Sequence, residues 1–373
     1  MFKSILKCST IIGATILPIT AVHAGGHATT YGPFPVTLQN YSGDKENSVS
    51  YSGQIARHVL HDSLKVLAGR GDGGANSASL KAEMLAYFSG SDKNKEILAP
   101  LTKDGFVIKQ GTLNEISSGK NIEGKFYNGV MLAWPGSKKG REVAMHMIDH
   151  ASMATKGFDA DNGYDWAQLI SKFTMGAMAY SQAVDNYLDE KLEADTKPNN
   201  KPYKDGTAYT GKEHVWDEAF GYFGAAAHTL TLSADQAYGI AKRKDVAAAD
   251  ANGDGVIDLK SEMVFGPAYY AAAFDRSGSK STNYLNTVMQ SYVDGRMLIT
   301  SANGAVLTDA QRSSLKAYAA VIESNWEKVL AEAVFKYAGS VYKDISKMQD
   351  DGADIAKVYR AYVKHWGELK GFS

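Results

Sequence analysis

One stretch of the chain places oxygen-bearing side chains at the spacing that calcium-binding loops use. It runs from Asp250 to Asp258 and contains two glycines. Calcium takes six to eight oxygen ligands, which EF-hand loops supply from positions 1, 3, 5, 7 and 9, with a glycine at position 6. In this register the side-chain oxygens come from Asp250, Asn252, Asp254 and Asp258, and the backbone carbonyl comes from Val256. The stretch therefore predicts a structural calcium site.

Position 12 of this loop departs from the EF-hand pattern. A bidentate glutamate is usual there, whereas this chain has Ser261 at position 12 and the acid one residue later, at Glu262. Either the next helix begins late, so that Glu262 reaches the ion, or water completes a weaker site. The alternative to calcium binding is an acidic turn in which Asp and Asn cap helices. We include Glu262 among the predicted calcium ligands.

Several histidines stand three or four residues from an acid, a spacing that puts two side chains on one face of a helix. His214 precedes Asp217 and Glu218 in a segment rich in aromatic residues, and His365 precedes Glu368. Imidazole with carboxylate suits iron, zinc or manganese, and the residue types do not choose among these metals. These five residues are the predicted transition-metal ligands. Each pair is equally compatible with an ion pair or a hydrogen-bonded core imidazole.

Two further histidine pairs have helical spacing, His58 with His61 and His146 with His150. A zinc peptidase of the His-Glu-x-x-His type needs a glutamate beside its first histidine as the general base. Met147 occupies that place in the second pair. The sequence therefore disfavours a metallopeptidase and favours a binding protein over an enzyme.

The elements that must position these residues are predicted to be helices. Residues 136–197 and 268–373 contain no proline, as long helices prefer. Apolar residues recur at steps of three and four in 166–178 and 315–329. Only the segment 105–111 suggests a short β-hairpin. We predict an all-α protein in which the calcium loop joins two helices.

Helix starts are marked by capping boxes, in which a hydroxyl and a carboxylate or amide three residues later satisfy free backbone N–H groups. Three such pairs occur, and each predicts a helix that begins just after its hydroxyl residue. They are Thr210 with Glu213, Ser233 with Gln236 and Thr308 with Gln311.

Composition excludes several classes of protein. The chain has 373 residues, 40 Lys and Arg against 41 Asp and Glu, and one cysteine. A nucleic-acid binder needs a surplus of basic residues, so that class is set aside. No segment beyond the N-terminal one approaches the roughly 20 apolar residues of a membrane span.

The first 24 residues have the pattern of a secretory signal peptide. Lys3 and Lys7 precede an apolar run, and small residues stand at the cleavage positions before Gly25. Removal of this segment would also remove Cys8, so we expect a periplasmic or secreted chain without cysteine. Residues 25–47 are predicted to form an extended N-terminal lead, and residues 48–373 an all-α domain.

Five segments resemble a family of exported bacterial proteins that is catalogued as a domain of unknown function, many members of which are lipoproteins. The resemblance covers about Tyr41 to Phe372. The segments are Ser52-Gly53-Gln54 with Arg57, Gln168 to Gln182, Glu213 to Gly224, Asp294-Gly295-Arg296, and Trp366 to Phe372.

This family is in turn similar to the imelysins, periplasmic or surface proteins that consist of two four-helix bundles and are linked to iron uptake. Imelysins carry a Gly-x-His-x-x-Glu motif. The nearest counterpart here is Lys212 to Asp217, which keeps His214 three residues before an acid but has Asp in place of Glu and no glycine two residues before the histidine.

The resemblance implies an imelysin-like pair of helical bundles and a periplasmic binding protein for iron or an iron-containing ligand. The histidine and carboxylate residues named above would hold this ligand. The alternative is a calcium-stabilised scaffold or interaction module of the cell envelope, which binds another envelope protein and no transition metal.

Overall fold

The computed structural model describes residues 28–193, 196–278 and 281–373, and the predicted signal peptide lies outside these ranges. Within them the chain forms eleven α-helices and one two-stranded sheet, which confirms the predicted all-α class. The helices are α1 Ser52–Ala68, α2 Ser77–Phe88, α3 Gly140–Met153, α4 Trp166–Thr174, α5 Gly211–Phe223, α6 Ala234–Ala241, α7 Val246–Ala249, α8 Gly266–Ser277, α9 Tyr284–Ser301, α10 Asp309–Met348 and α11 Ile355–Phe372.

All three predicted capping boxes begin a helix. The hydroxyls of Thr210, Ser233 and Thr308 accept the N–H of the residue three positions later, at the starts of α5, α6 and α10. The helix α10 is 40 residues long. Even so, no helix in the described ranges has an apolar stretch long enough to cross a membrane.

Helix α4 does not end in a loop but continues as a π-helix. The π-helical turns cover Met175–Tyr180 and Gln182–Glu190, so the chain runs as one rod from Trp166 to Glu190. π-Helices are usually single turns, and they occur often at functional sites. This rod brings Tyr187 alongside α5, where the predicted ligand His214 lies.

The helices pack in two connected sets. Helices α1 to α4 pack on one another, while α9 packs on α5, α8 and α10. The last helix, α11, joins the sets because it packs on both α10 and α4. The apolar stripes predicted in 166–178 and 315–329 are buried in the core. Their buried members include Trp166, Leu169, Phe173, Leu315, Ile322 and Trp326.

The short sheet lies elsewhere than the sequence predicts. Strand β1 is Phe158–Asp159 and strand β2 is Tyr164–Asp165, and the two are antiparallel. The predicted hairpin at 105–111 forms only isolated bridges, one of which pairs Ile108 with Ile257. The missed signal is the dipeptide Asn162-Gly163, a strong indicator of a hairpin turn.

The N-terminal segment from residue 28 to residue 50 contains no helix. It lies against α5, where the Tyr31 ring stacks on Phe220 with ring centroids 3.7 Å apart. The segment also folds back on itself through a bridge between Pro35 and Asn47. It therefore contributes directly to the surroundings of the α5 side chains.

Candidate functional site

Helix α5 carries three of the five predicted transition-metal ligands. His214, Asp217 and Glu218 follow the capping pair of Thr210 and Glu213 within two turns of helix. The helix packs on α1, on α9 and on the π-helical segment that follows α4. Its ionisable side chains therefore belong to two sites, one fully hydrogen-bonded and one incompletely paired.

The first site, which we call the Arg296 centre, is a buried ion network. The guanidinium of Arg296 donates from Nε to Asp217 at 2.9 Å and from Nη1 to Glu213 at 3.1 Å, and all three side chains are 0% exposed. Asp217 also accepts the hydroxyl of Tyr31 at 2.7 Å and the N–H of Ser50 at 2.8 Å. Every oxygen of Asp217 is thus engaged within the protein.

A glycine makes this network possible. A Cβ on Gly295 would lie 2.1 Å from an indole carbon of Trp216, so only glycine lets α9 approach α5 so closely. The Trp216 indole N–H donates to the carbonyl of Tyr292 across the same contact. The motif Asp294-Gly295-Arg296 therefore combines a close helix crossing with a buried cation.

The second site, the Glu218 cluster, is polar and incompletely paired. It contains Glu218 and His214, together with the cations Arg57, Lys120, Lys125 and Lys191 described below. Glu218 accepts Gln54 Nε2 at 2.7 Å, and its other oxygen is 3.7 Å from His214 Nε2. The His214 and Glu218 side chains are only 12% and 13% exposed.

Two buried atoms of this pair, Nδ1 of His214 and Oε2 of Glu218, make no hydrogen bond of good geometry in the described part of the chain. The Tyr187 side chain nevertheless interacts with the Glu218 carboxylate, and the backbone of Ser50 interacts with His214. Buried polar atoms without partners are uncommon in folded proteins and call for an explanation, such as a bound molecule. The His214 ring is fixed by two tyrosines, since it stacks on Tyr209 and lies 4.2 Å from the ring centroid of Tyr203. Burial lowers the pKa of His214, and the neighbouring Glu218 opposes this shift.

Three lysines, Lys120, Lys125 and Lys191, interact electrostatically with Glu218, and Arg57 lies close enough to repel two of them. Arg57 lies on α1 and donates to the carbonyls of Asn121 and Gly53, and the Lys120 side chain reaches the same glycine. Burial is the first cause that lowers the pKa of Lys125, followed by repulsion from Arg57, whereas Glu218 raises it. The pKa values of Lys120 and Lys191 are lowered in the same way, chiefly by burial. One carboxylate thus faces an excess of positive charge in a partly desolvated place.

The other two predicted ligands lie in a different environment. His365 Nδ1 is 2.5 Å from Asp344, and Glu368 is 3.8 Å from Lys172. Both are on α11, which packs on α10 and α4. Burial lowers the pKa of Lys172 to about 7, and Glu368 opposes this shift. The structure therefore does not place this pair with His214 and Glu218.

The segment predicted to bind calcium lies between α7 and α8, and its residue Ile257 is fully buried. Asp250 accepts the N–H groups of Asp254 and Gly255, and Gly255 has the positive φ of 82° that the sharp turn requires. Asp258 accepts the side-chain amide of Gln110 at 2.7 Å. The loop exits into a turn and an extended stretch, not directly into a helix.

Of the two candidates for the last ligand position, Glu262 is the one that faces the loop. Its carboxylate is nearly buried and accepts the N–H of Ala251 at 3.1 Å and that of Asp258 at 2.7 Å. The ammonium of Lys109 stands 3.9 Å from Asp254 and 3.8 Å from Asp258. The oxygen donors suit calcium chemically, and in this structure they are bound to backbone N–H groups and to cations.

No group of three or more His, Cys, Asp or Glu side chains in residues 28–193, 196–278 and 281–373 is arranged to hold a metal ion. The remaining histidine pairs have structural partners. His58 and His61 are buried and bind backbone carbonyls of other helices. The rings of His146 and His150 are 4.4 Å apart, and Asp149 between them pairs with Lys81.

The cations of the Glu218 cluster were not singled out as site residues by the sequence. Arg57 stands in a segment that supports the family resemblance, but Lys120 lies in an irregular stretch and Lys125 ends the short 3₁₀ helix Glu123–Lys125, and neither belongs to a motif. Lys191 follows the π-helical rod. Only the fold brings these residues together, since local spacing carries no information about contacts between distant segments.

Residues 140–253 match the model of a family described as Domain of unknown function (DUF4856). The predicted resemblance to a family of unknown function is confirmed over this segment, which contains α5 and the start of the calcium loop. No curated protein matches the chain, and no solved structure matches it.

Proposed function

We propose that this chain is a binding protein for an anionic iron chelate, which it holds at the Glu218 cluster. The observation that carries the proposal is the excess of cations at this site. Lys120, Lys125 and Lys191 each interact electrostatically with one carboxylate, Glu218, and Arg57 adds a further positive charge beside Lys120 and Lys125. Cations held in a partly buried place attract an anion more strongly than cations in open solvent.

A chelated iron suits this site better than a bare ion. Bare iron needs several protein ligands, whereas Asp217 is fully used by Arg296, and His365 with Glu368 lie on another helix. A chelate brings its own ligands and needs only charge and hydrogen bonds from the protein. The ammonium groups of Lys120, Lys125 and Lys191 and the guanidinium of Arg57 are donors that can supply both.

The experiment is a calorimetric titration with ferric citrate, and with citrate alone, on the wild type and on the double variant Lys120→Gln/Lys125→Gln. We expect the double variant to bind ferric citrate at least about tenfold more weakly, because two attractive charges are lost. Binding should also weaken as the pH rises, since the lowered pKa of each lysine makes it lose its proton earlier than usual.

The matched control is Lys328→Gln/Lys347→Gln, which removes the same charge from exposed positions of α10. This control should bind like the wild type. Equal binding by both double variants, or no binding of ferric citrate to the wild type, would overturn the proposal. If citrate alone binds as tightly as ferric citrate, the ligand is a carboxylate anion and not an iron chelate.

The same proposal includes the imelysin-like architecture and a location in the periplasm or outside the cell. Two connected sets of helices, α1 to α4 and α5 with α8 to α10, support the pair of bundles. The predicted signal peptide supports the location.

We also propose a structural calcium ion in the loop from Asp250 to Glu262. The inward position of Glu262 and the buried Ile257 support this proposal. Calcium titration by calorimetry should give one site in the wild type, of sub-millimolar to millimolar affinity as in extracellular modules. Asp254→Asn and Glu262→Gln should each weaken calcium binding. An unchanged affinity in both variants would mean that the segment is an acidic turn and not a calcium site.

A scaffold that binds another envelope protein is the second candidate. It is favoured by two aromatic side chains on α10, Phe335 and Tyr342, which are 77% and 72% exposed and stand seven residues apart on one face of the helix. Replacement of both by serine should abolish co-purification of an envelope protein if this reading is right, while leaving ferric citrate binding intact.

A further inference from the structure

A cavity that does not include Glu218 lies where four segments meet. Its volume is about 250 Å³, and we call it the tryptophan pocket. The loop before α3, helix α3, the β1–β2 hairpin with the start of α4, and helix α11 all contribute to its wall. Its aromatic lining consists of Trp134, His146, His150, Tyr164, Trp166 and Trp366.

The aromatic side chains of this pocket are held in fixed positions. His150 and Tyr164 both stack on Trp166, at centroid distances of 4.8 and 4.7 Å. Trp366 contacts Tyr164 at 5.4 Å, and both Trp366 and Trp134 are partly exposed. A rigid aromatic wall of this kind offers apolar contact area at little cost in conformational entropy.

One polar group of the pocket lacks a partner. The indole of Trp166 is only 2% exposed, and its N–H makes no hydrogen bond within the described residues. A buried indole N–H usually finds an acceptor. The polar side chains that line the pocket itself include the imidazoles of His146 and His150, the amide of Asn162 and the ammonium of Lys138. A ligand with hydroxyl groups can therefore both donate and accept hydrogen bonds here.

The charges of the pocket speak against a cationic ligand. Lys138 and Lys370 line it, and Asp159, the one acid among its described lining residues, accepts three hydrogen bonds from the backbone and side chain of Asn162. Burial and the neighbouring His150 lower the pKa of His146, so that ring is a neutral donor and acceptor at pH 7. An aromatic cage for a quaternary ammonium would require the opposite charge balance.

We propose that the tryptophan pocket binds a sugar ring, neutral or acidic, such as the end residue of a glycan. A pyranose has apolar C–H faces that pack on indole rings, and its hydroxyls both donate and accept. The pocket supplies each partner: the partly exposed aromatic rings of Trp134 and Trp366, the two imidazoles, and the polar side chains of Asn162 and Lys138. Its volume accommodates one ring and not a long chain.

The test is saturation-transfer NMR and intrinsic fluorescence with D-glucose, N-acetyl-D-glucosamine, D-galactose, D-mannose and D-glucuronate, each with the full-length mature chain. We expect saturable binding of at least one of these sugars. Trp366→Ala should weaken it at least about tenfold, the effect of losing one aromatic contact. Trp366→Phe should restore part of the affinity, which shows that the aromatic face itself matters and not only the fold.

The matched control is Tyr127→Ala, which removes an aromatic ring that is 43% exposed and does not line the pocket. It should leave sugar binding unchanged. Absence of binding for all five sugars up to roughly 50 mM, or equal binding by Trp366→Ala and Tyr127→Ala, would overturn the proposal. Binding of riboflavin in place of any sugar would overturn it too, because the site would then be a slot for planar rings.

Discussion

Asp217 and Glu218 are consecutive residues of α5, yet their surroundings are opposite. Asp217 faces the Arg296 centre, where both of its oxygens are bonded and no side chain of the ion network is exposed. Glu218 faces α1 and the π-helical rod, where one of its oxygens has no hydrogen bond and the charge balance is positive. One turn of helix thus carries a closed and an open polar site.

The difference separates a structural role from a binding role. A buried ion network that satisfies all its members holds one arrangement of helices in place and leaves nothing for a ligand. A site with unpaired buried atoms and surplus charge is costly for the fold, and a ligand of opposite charge relieves that cost. We therefore assign Asp217 to the framework of the fold and Glu218 to the proposed binding site.

The largest expected loss of stability comes from removing the buried cation of the Arg296 centre. Arg296→Met should lower the free energy of unfolding by about 3–5 kcal/mol, because Asp217 and Glu213 would be left buried without their cation. Urea unfolding followed by circular dichroism measures this loss. Adding Asp217→Asn and Glu213→Gln to the variant should recover part of it.

The matched control for this prediction is Lys125→Met, which removes a cation from the open site. Its effect should stay within about 1 kcal/mol, since Lys125 is partly exposed. A comparable loss in both variants would erase the distinction between the two sites.

Acidification should lower the stability of the fold through the buried histidines His58 and His61. Burial lowers the pKa of His58 to about 4 and that of His61 to about 3, whereas an unfolded chain has a value near 6.5. Below pH 6.5 the unfolded state therefore binds more protons than the folded state. The contribution of each neutral histidine to the free energy of unfolding should be complete above that pH. It should fall as the pH drops toward 4, by up to about 3 kcal/mol for His58.

Urea unfolding between pH 7.5 and pH 4.5 measures this slope. His58→Gln should reduce the slope, while Phe335→Gln, which changes an exposed ring that does not titrate, should retain it. A slope that does not change in His58→Gln would mean that other groups control acid stability.

Calcium removal should have a smaller effect. The loop oxygens are already engaged with backbone N–H groups and lysines, so the ion adds to a preformed turn. With calcium in moderate excess over its dissociation constant, the linkage gives about 2 kcal/mol. Thermal unfolding with calcium and with chelator measures this difference. Asp254→Ala should make the two curves coincide, and Lys347→Gln should leave them apart.

Local patterns predicted the helices, but not the site. The hydroxyls of Thr210, Ser233 and Thr308 predicted three helix starts because capping involves residues three positions apart. The partner of Asp217 lies 79 residues away on α9, so no local pattern could identify it. Spacing therefore grouped Asp217 with His214, whereas packing separates them.

The Glu218 cluster was predictable only in part. His214 and Glu218 share a helix face, as their four-residue spacing indicates, and the structure places them 3.7 Å apart. The cations near His214 and Glu218 come from α1, from the stretch that contains Lys120 and the 3₁₀ helix Glu123–Lys125, and from the end of the π-helical rod. The π-helix itself has no recognisable sequence signature, although it decides which residues of that rod face α5.

The variant with the smallest expected effect on stability, Glu218→Gln, tests most directly how the Glu218 cluster binds its ligand. Glu218→Gln keeps the shape of the side chain and its bond to Gln54 but removes a negative charge. Stability should change by less than about 1 kcal/mol, because one carboxylate oxygen makes no hydrogen bond in the described part of the chain. If an anionic chelate binds here, the loss of a like charge should tighten ferric citrate binding about threefold or more.

Direct ligation of iron by Glu218 predicts the opposite sign, since an amide is a far poorer iron ligand than a carboxylate. Calorimetric titration of Glu218→Gln with ferric citrate therefore separates the two modes by direction and not only by size. Gln54→Ala provides the control, because it removes the partner of Glu218 and leaves the charge in place. Tighter binding in Glu218→Gln but not in Gln54→Ala identifies charge as the cause, and weaker binding in Glu218→Gln means that the carboxylate itself holds the metal.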